Sequence, residues 1–236
     1  ASYRARWVEP VAVARDGVRV LTRGGLSGVP EAFGRLPHLR PLDATERVLA
    51  TVAALDGPRG PETHTTNLVA VDGHGRACVL TTSLGLGAGA WTPTFDLHLN
   101  SMLGERDLHA GPLVPGERMP SMMAPTVAFD GGGALLAIGA AGGTRLRSAL
   151  VQVAAAILDE ELEPVAAVDR PRLHPDGEVV HAEPGVDARA LERLEEQGRD
   201  VRTWDGLHHF FGGVSCVARN GAAGDPRRDG SGEMIA

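Results

Sequence analysis

Lysine is missing from this sequence; all 23 basic residues are arginine. That excludes lysine Schiff bases, lysine general bases and lysine phosphate anchors. A nucleophile must then be Ser, Thr, Cys, Asp or Glu. Cysteine is scarce, with only Cys78 and Cys216. Both sit in apolar, strand-like runs (ACVLTT and GGVSCVA) and are expected to be buried thiols. No CxxC spacing occurs. His208 and His209 are adjacent, with His98 and His109 elsewhere, but no i, i+2 or i, i+4 ligand pattern arises and no metal site is expected. No run of about 18 apolar residues occurs, so no membrane span is expected. The dinucleotide fingerprint is absent as well: GAAGG lacks the GxGxxG spacing, and no cofactor is implied. A net charge of -7 lacks the basic surface that neutralises phosphates, which argues against nucleic-acid binding.

What is present is enough apolar material, 43% of 236 residues, for one large domain or two small ones. The chain opens on Ala1, so either an initiator Met has been removed or the natural chain starts earlier. Residues 1–42 mix strand-like pieces (WVEPVAVA, VRVLT) with Gly/Pro turns. Residues 44–55 read as a helix, with Asp43 as cap, Glu46 three residues on, and Val48, Leu49, Val52 and Leu55 on one face. The breaker DGPRGP (56–61) marks a linker between residues 1–62 and 63–236. Strands are expected at 68–72 and 77–83, joined as a hairpin by GHGR, and again at 125–130 and 134–140, joined by GGG. Helices follow at 145–161, with Leu146, Leu150, Val153 and Ile157 aligned, and at 187–197, capped by Asp187 and stopped by Gly198. The segment HHFFGGVSCVARNG reads as a final strand. Strand pairs followed by helices imply a layered α/β domain with antiparallel sheets.

Four constellations carry possible chemistry, each with a plainer alternative. Thr63-His64-Thr65-Thr66-Asn67 follows the breaker and opens a strand. It is either a polar strand start or a cleavage point. Cleavage before Thr65 would put a hydroxyl and an α-amine of pKa about 8 on one residue, giving the nucleophile its own base. Thr81-Thr82-Ser83 ends the partner strand; Ser83 either makes ordinary cross-strand pairs or returns beside Thr65. Gly142-Gly143 stands at a strand-to-helix turn, either as a tight turn or as a pair of N–H donors for developing negative charge. Pro120–Thr126 (PSMMAPT) sets Ser121 beside two Met residues, which by themselves suggest core filling.

These signals occur in an order that resembles the small, catalytic subunit of the γ-glutamyltranspeptidases. TTNLVAVDGHGRACVLTTS resembles that subunit's opening, LHLNSMLGERDL its Leu-Asn-Asn segment, and PSMMAPTVAFDGG its Ser-Ser-Met-Ser-Pro-Thr motif. AAGGTRLRSALVQV is similar to its Gly-Gly turn and helix, while DRPRLHPDGEVVHAEPG and GDPRRDG match later motifs. Residues 1–62 resemble the tail of the family's large subunit. The resemblance implies an αββα Ntn-hydrolase sandwich, with stacked antiparallel sheets flanked by helices and incomplete without an N-terminal half. It also implies autocatalytic cleavage of a precursor and an acyl-enzyme on Thr65. Ser83 matches the hydroxyl that hydrogen-bonds the nucleophile, Gly142 and Gly143 the oxyanion glycines, and Ser121 the first of a substrate-holding Ser pair. Departures sit in the glutamate-binding positions. Gly85 stands where many relatives have Asn. Gly104 replaces an Asp, with Glu105 adjacent. Met122 replaces the second Ser, Asn67 replaces His, and Leu84 and Leu86 replace polar residues of a related branch. The binding positions expected from the resemblance are therefore Gly85, Asn100, Glu105, Ser121 and Met122. The implied substrate is a small γ-glutamyl or other acyl compound, and the implied partner is the large-subunit half. A repurposed family member acting on another acyl group and a non-catalytic remnant are the alternatives.

Overall fold

A computed structural model describes residues 4–57, 65–105, 108, 111–112 and 114–235. Val11–Arg15 (β1) and Val18–Thr22 (β2) form an antiparallel hairpin. Val29–Arg35 (α1) and Ala44–Leu55 (α2) follow. The Glu46 N–H donates to the Asp43 carboxylate at 2.8 Å, and the Asp43 N–H donates to the Glu46 carboxylate at 3.0 Å. This capping box fixes the start of α2 and contributes about 1 kcal/mol. Thr65–Val71 (β3) pairs with Ala77–Ser83 (β4), and Trp91–Thr92 (β5) with Leu97–His98 (β6). Thr126–Asp130 (β7) and Gly133–Ala141 (β8) form the second expected hairpin, followed by Arg145–Glu160 (α3). Pro164–Asp169 (α4), Leu173–Asp176 (β9) and Val179–Ala182 (β10) come next. Ala188–Glu196 (α5) is capped by Asp187 as expected and leads to Asp200–Thr203 (β11). The chain ends in Gly213–Ala218 (β12) and Gly221–Gly224 (β13).

The sequence reading of the last strand needs correction. His209–Phe211 is a 3-10 turn, only residues 213–218 form the strand, and a further strand follows it. Gly212, at φ +76°, separates the aromatic run from the ladder, which begins at Gly213. Cys78 is a second correction. Cys216 is buried, but Cys78 is exposed, because strand alternation turns it to the opposite face from Ala77 and Val79.

Six strands form one antiparallel sheet in the order β1-β2-β7-β8-β12-β13, and β11-β10-β9 form a separate sheet. Strand β8 is buried on both faces from Leu136 to Ala141. Leu136, Ile138 and Ala140 join the core shared with Leu146, Leu150 and Val153 of α3. The alternate residue Gly139 faces the β3–β4 ribbon: a Cβ there would stand 2.0 Å from Asn67 Oδ1. β12 repeats the pattern, with Val214 and Cys216 in the core and the Ser215 hydroxyl donating to the Asn67 carbonyl at 3.3 Å. The layers are therefore helices, a six-stranded sheet, and a two-stranded ribbon on its other face. The absence of a side chain at 139 lets that ribbon sit close.

Buried charges tie the carboxyl-terminal segment to this frame. Arg172, Glu183, Asp225 and Arg227 are all buried. Arg172 pairs with Asp225 at 2.5 Å, while Arg227 pairs with Glu183 at 2.5 Å and Asp225 at 3.2 Å. The remaining acceptor capacity is used too: Asp225 accepts the Val214 N–H at 2.9 Å, and Glu183 the Arg172 N–H at 2.8 Å. Such a network holds because nearly every charge in it has a partner.

Candidate active site

The hairpin register sets Thr65 directly opposite Ser83. Their side chains point inward, since both strands alternate half-buried and exposed residues from these ends. The Ser83 hydroxyl oxygen accepts the Gly85 N–H at 3.1 Å, which turns the chain sharply after β4. Across the cleft stands the start of α3. Gly142 and Gly143 take φ values of +131° and +58°, and a Cβ at 142 would lie 2.7 Å from the Gly212 Cα. Only glycine fits that turn. It sets the N–H groups of both residues ahead of the helix's own hydrogen-bond ladder, at the positive end of its dipole.

Thr65, Ser83, Glu105, Ser121, Met122 and Gly143 line one cleft together with Met102, Leu108, Met123 and Leu146. Residues far apart in sequence thus meet at one place. The cleft is narrow, about 10 Å³, room for one water molecule. The Ser121 hydroxyl oxygen accepts the Met123 N–H at 3.2 Å, which holds this segment in a tight turn. Burial pushes the Glu105 carboxyl above its usual range. Asn100 does not line the cleft; its Oδ1 accepts the Met102 N–H at 3.1 Å and caps the short turn that carries Met102. Gly142 lies just outside the lining. Leu84 and Leu86 are exposed, so the apolar character of the cleft comes from the Met and Leu residues instead. Sequence reasoning passed over Met102, Leu108, Met123 and Leu146 as lining, because an apolar side chain in a site looks the same in sequence as one in a core.

A family model described as Gamma-glutamyltranspeptidase matches residues 37–235. The chain belongs to the γ-glutamyltranspeptidase family. Among curated family members, it is 27% identical over 186 residues to an Acylase ACY 1 proenzyme of Pseudomonas sp. (strain V22), covering 77% of this chain and 32% of that protein. It is 28% identical over 180 residues to the Glutathione hydrolase proenzyme of Bacillus subtilis (strain 168), covering 69% of this chain and 31% of that protein. The chain therefore spans about a third of the length of these relatives. Among solved structures, the γ-glutamyltranspeptidase from Pseudomonas nitroreducens complexed with L-DON superposes with a TM-score of 0.61 at 23% identity, over 72% of this chain and 100% of that one. A cephalosporin acylase from Bacillus halodurans superposes with a TM-score of 0.78 at 20% identity, over 100% of this chain and 54% of that one. At these identities the likeness is one of fold, the Ntn-hydrolase sandwich, of which this chain forms part.

Among the described residues, no histidine lines the cleft. Among the described residues, no cluster of three or more His, Cys, Asp or Glu could hold a metal ion; His109 lies outside them. Ser148 of α3 and His174 of β9 do form a hydroxyl–imidazole pair at 2.8 Å, but both are buried and neither lines the cleft. Burial, aided by the Arg145 charge, lowers His174 from its ordinary 6.5 to about 3. The folded protein thus favours the neutral ring. Stability from this residue is fully present above pH 6.5 and falls as pH drops toward 3. Between about pH 6.5 and 5 the protein is expected to lose about 2 kcal/mol through it. Urea unfolding of the unmodified protein against His174→Gln reads this directly. The variant should lack that slope, and an unchanged slope would assign it to other groups.

Proposed function

We propose that this chain carries the catalytic half of an amide hydrolase or acyltransferase whose nucleophile is Thr65, exposed by cleavage of the bond before it. The observation that carries this reading is the convergence of Thr65, Ser83, Ser121 and Gly143 on one cleft. After cleavage, the Thr65 α-amine takes the proton of its own hydroxyl, and Oγ attacks the acyl carbon. The oxyanion that forms accepts hydrogen bonds from the Gly142–Gly143 turn at the head of α3. Collapse of the tetrahedral intermediate breaks the amide bond, and the leaving amine takes the proton from the α-ammonium. Water or an acceptor amine then resolves the ester on Thr65.

The same reading divides the chain at the linker, with residues 1–62 as the tail of the larger subunit and 63–236 as the catalytic piece. It also calls for a partner half. On the outer face of the ribbon, Leu68 and Leu80 sit opposite each other at 56% and 55% exposure. Among the described residues, β3 and β4 pair only with one another. An exposed apolar ribbon with two open edges favours further strands and a covering helix layer. The match to about a third of two proteins named as proenzymes agrees with this. Curated relatives include a glutathione hydrolase and acylases; the apolar lining of this cleft favours an altered acyl group over glutamate.

Intact-mass measurement of the full-length protein tests the proposal. Two chains are expected, one beginning at Thr65. A single uncleaved chain that turns over no acyl anilide would favour a non-catalytic remnant.

A further inference from the structure

The Gly142–Gly143 turn has no side chain to fix the direction of its own N–H groups. Its carbonyls are tied to the start of α3: Gly142 accepts the Arg145 N–H and Gly143 the Leu146 N–H, both at 3.1 Å. From the other side the turn rests on Gly212, which is itself tightly placed. A Cβ on Gly212 would stand 2.8 Å from the Ala141 carbonyl oxygen and 3.2 Å from the Ala149 Cβ. Its N–H donates to the His209 carbonyl at 3.2 Å, and its carbonyl accepts from the Arg172 guanidinium at 3.3 Å. An aromatic stack that the reaction leaves unused secures this segment. The Arg145 guanidinium lies 4.1 Å from the centroid of the Phe210 ring. Phe210 stacks on Trp204, with centroids 4.6 Å and planes 24° apart, and the His181 ring tilts against Phe210 at 4.6 Å. The Trp204 indole N–H donates to His181 Nδ1 at 3.2 Å, and His208 Nδ1 accepts the Phe210 N–H at 3.1 Å. Arg145 thus bonds the turn through its backbone and the stack through its side chain.

We infer that Phe210 is a positioning residue for the oxyanion turn, acting through Arg145 and Gly212. The inference rests on the Thr65 reading. A guanidinium on an aromatic face contributes about 1 kcal/mol. That is the order of the extra conformational freedom that two glycines bring. Losing the contact therefore leaves the fold in place and loosens the aim of the Gly142 and Gly143 N–H groups. The cost appears only when negative charge develops opposite them, so it falls on the transition state and not on binding.

Hydrolysis of p-nitrophenyl acetate by the cleaved full-length protein, counted per Thr65 chain end, tests this, because a small activated ester demands little acyl-group recognition. Phe210→Leu is expected to lower kcat about 10–100-fold with KM within about twofold. Phe210→Tyr keeps the ring face and should restore kcat. Arg145→Met should reproduce the loss from the other partner, and the double variant should lose little more than either single one, since the two side chains act as a unit. Thermal midpoints should move by only about 2–4 °C. Should Phe210→Leu fail to fold, the kcat and KM of Arg145→Met decide the matter alone. An unchanged kcat, a loss confined to KM, additive losses in the double variant, or a loss that Phe210→Tyr does not restore would each overturn the inference while leaving the nucleophile in place. An unmodified protein that stays uncleaved, or that releases no nitrophenolate once cleaved, sinks the underlying reading instead.

Discussion

Thr65→Ala is expected to abolish anilide turnover and chain cleavage together. The hydroxyl is needed twice: once to attack the bond that precedes it, and once to attack the donor. No lysine exists to replace it, and the other cleft hydroxyls, Ser83 and Ser121, carry no α-amine as base. Removing a nucleophile that works as a unit with its base costs on the order of 10⁴-fold or more in kcat. The fold should survive, because Thr65 is only half-buried at a strand end. A near-normal unfolding midpoint alongside lost turnover, read by circular dichroism and by anilide assay, is the expected pattern. Cleavage persisting in the variant would point to an outside protease.

Asp225→Ala is expected to cost about 3–5 kcal/mol of stability, the typical penalty for stranding buried charge. Arg172 and Arg227 would both lose a carboxylate, at 2.5 and 3.2 Å. The Val214 N–H at the start of β12 would lose its acceptor. For a chain of this size the unfolding midpoint should fall by about 10 °C. The effect reaches the site as well. β12 begins at Gly213, next to the Gly212 backbone that packs on Gly142, so turnover should fall even well below the midpoint. A loss under about 1 kcal/mol in urea unfolding would contradict the network.

Much of this was legible in the sequence where one strong local rule applied. Asp43 and Glu46 fixed the start of α2, and the heptad-like spacing from Leu146 to Ile157 gave α3. The short GHGR connection fixed a hairpin register, and that register is what brings Thr65 and Ser83 together. Other features depend on contacts the sequence does not index. The β9–β11 sheet has a parallel pair, β10 with β11, whose crossover runs through α5. Short strands of that kind carry little periodicity. The motifs around residues 169–185 and 224–230 resembled the family without declaring a purpose, which is structural: Arg172 and Glu183 from one meet Asp225 and Arg227 from the other. Cys78 is exposed although its run is apolar, because one face of the ribbon is open, and an apolar run does not tell one buried face from two. The close approach of Glu105 to Gly85 spans a loop and arises only once the chain has folded back.

The claim that matters most is that Thr65 is an N-terminal nucleophile. Rapid acid quench during turnover of an acyl anilide, followed by peptide mass mapping, tests it directly. The expected result is a single acyl group, ester-linked to the threonine that begins the peptide Thr65-Thr66-Asn67. An acyl group on Ser83 or Ser121, or turnover by a chain in which Thr65 remains internal, would contradict it.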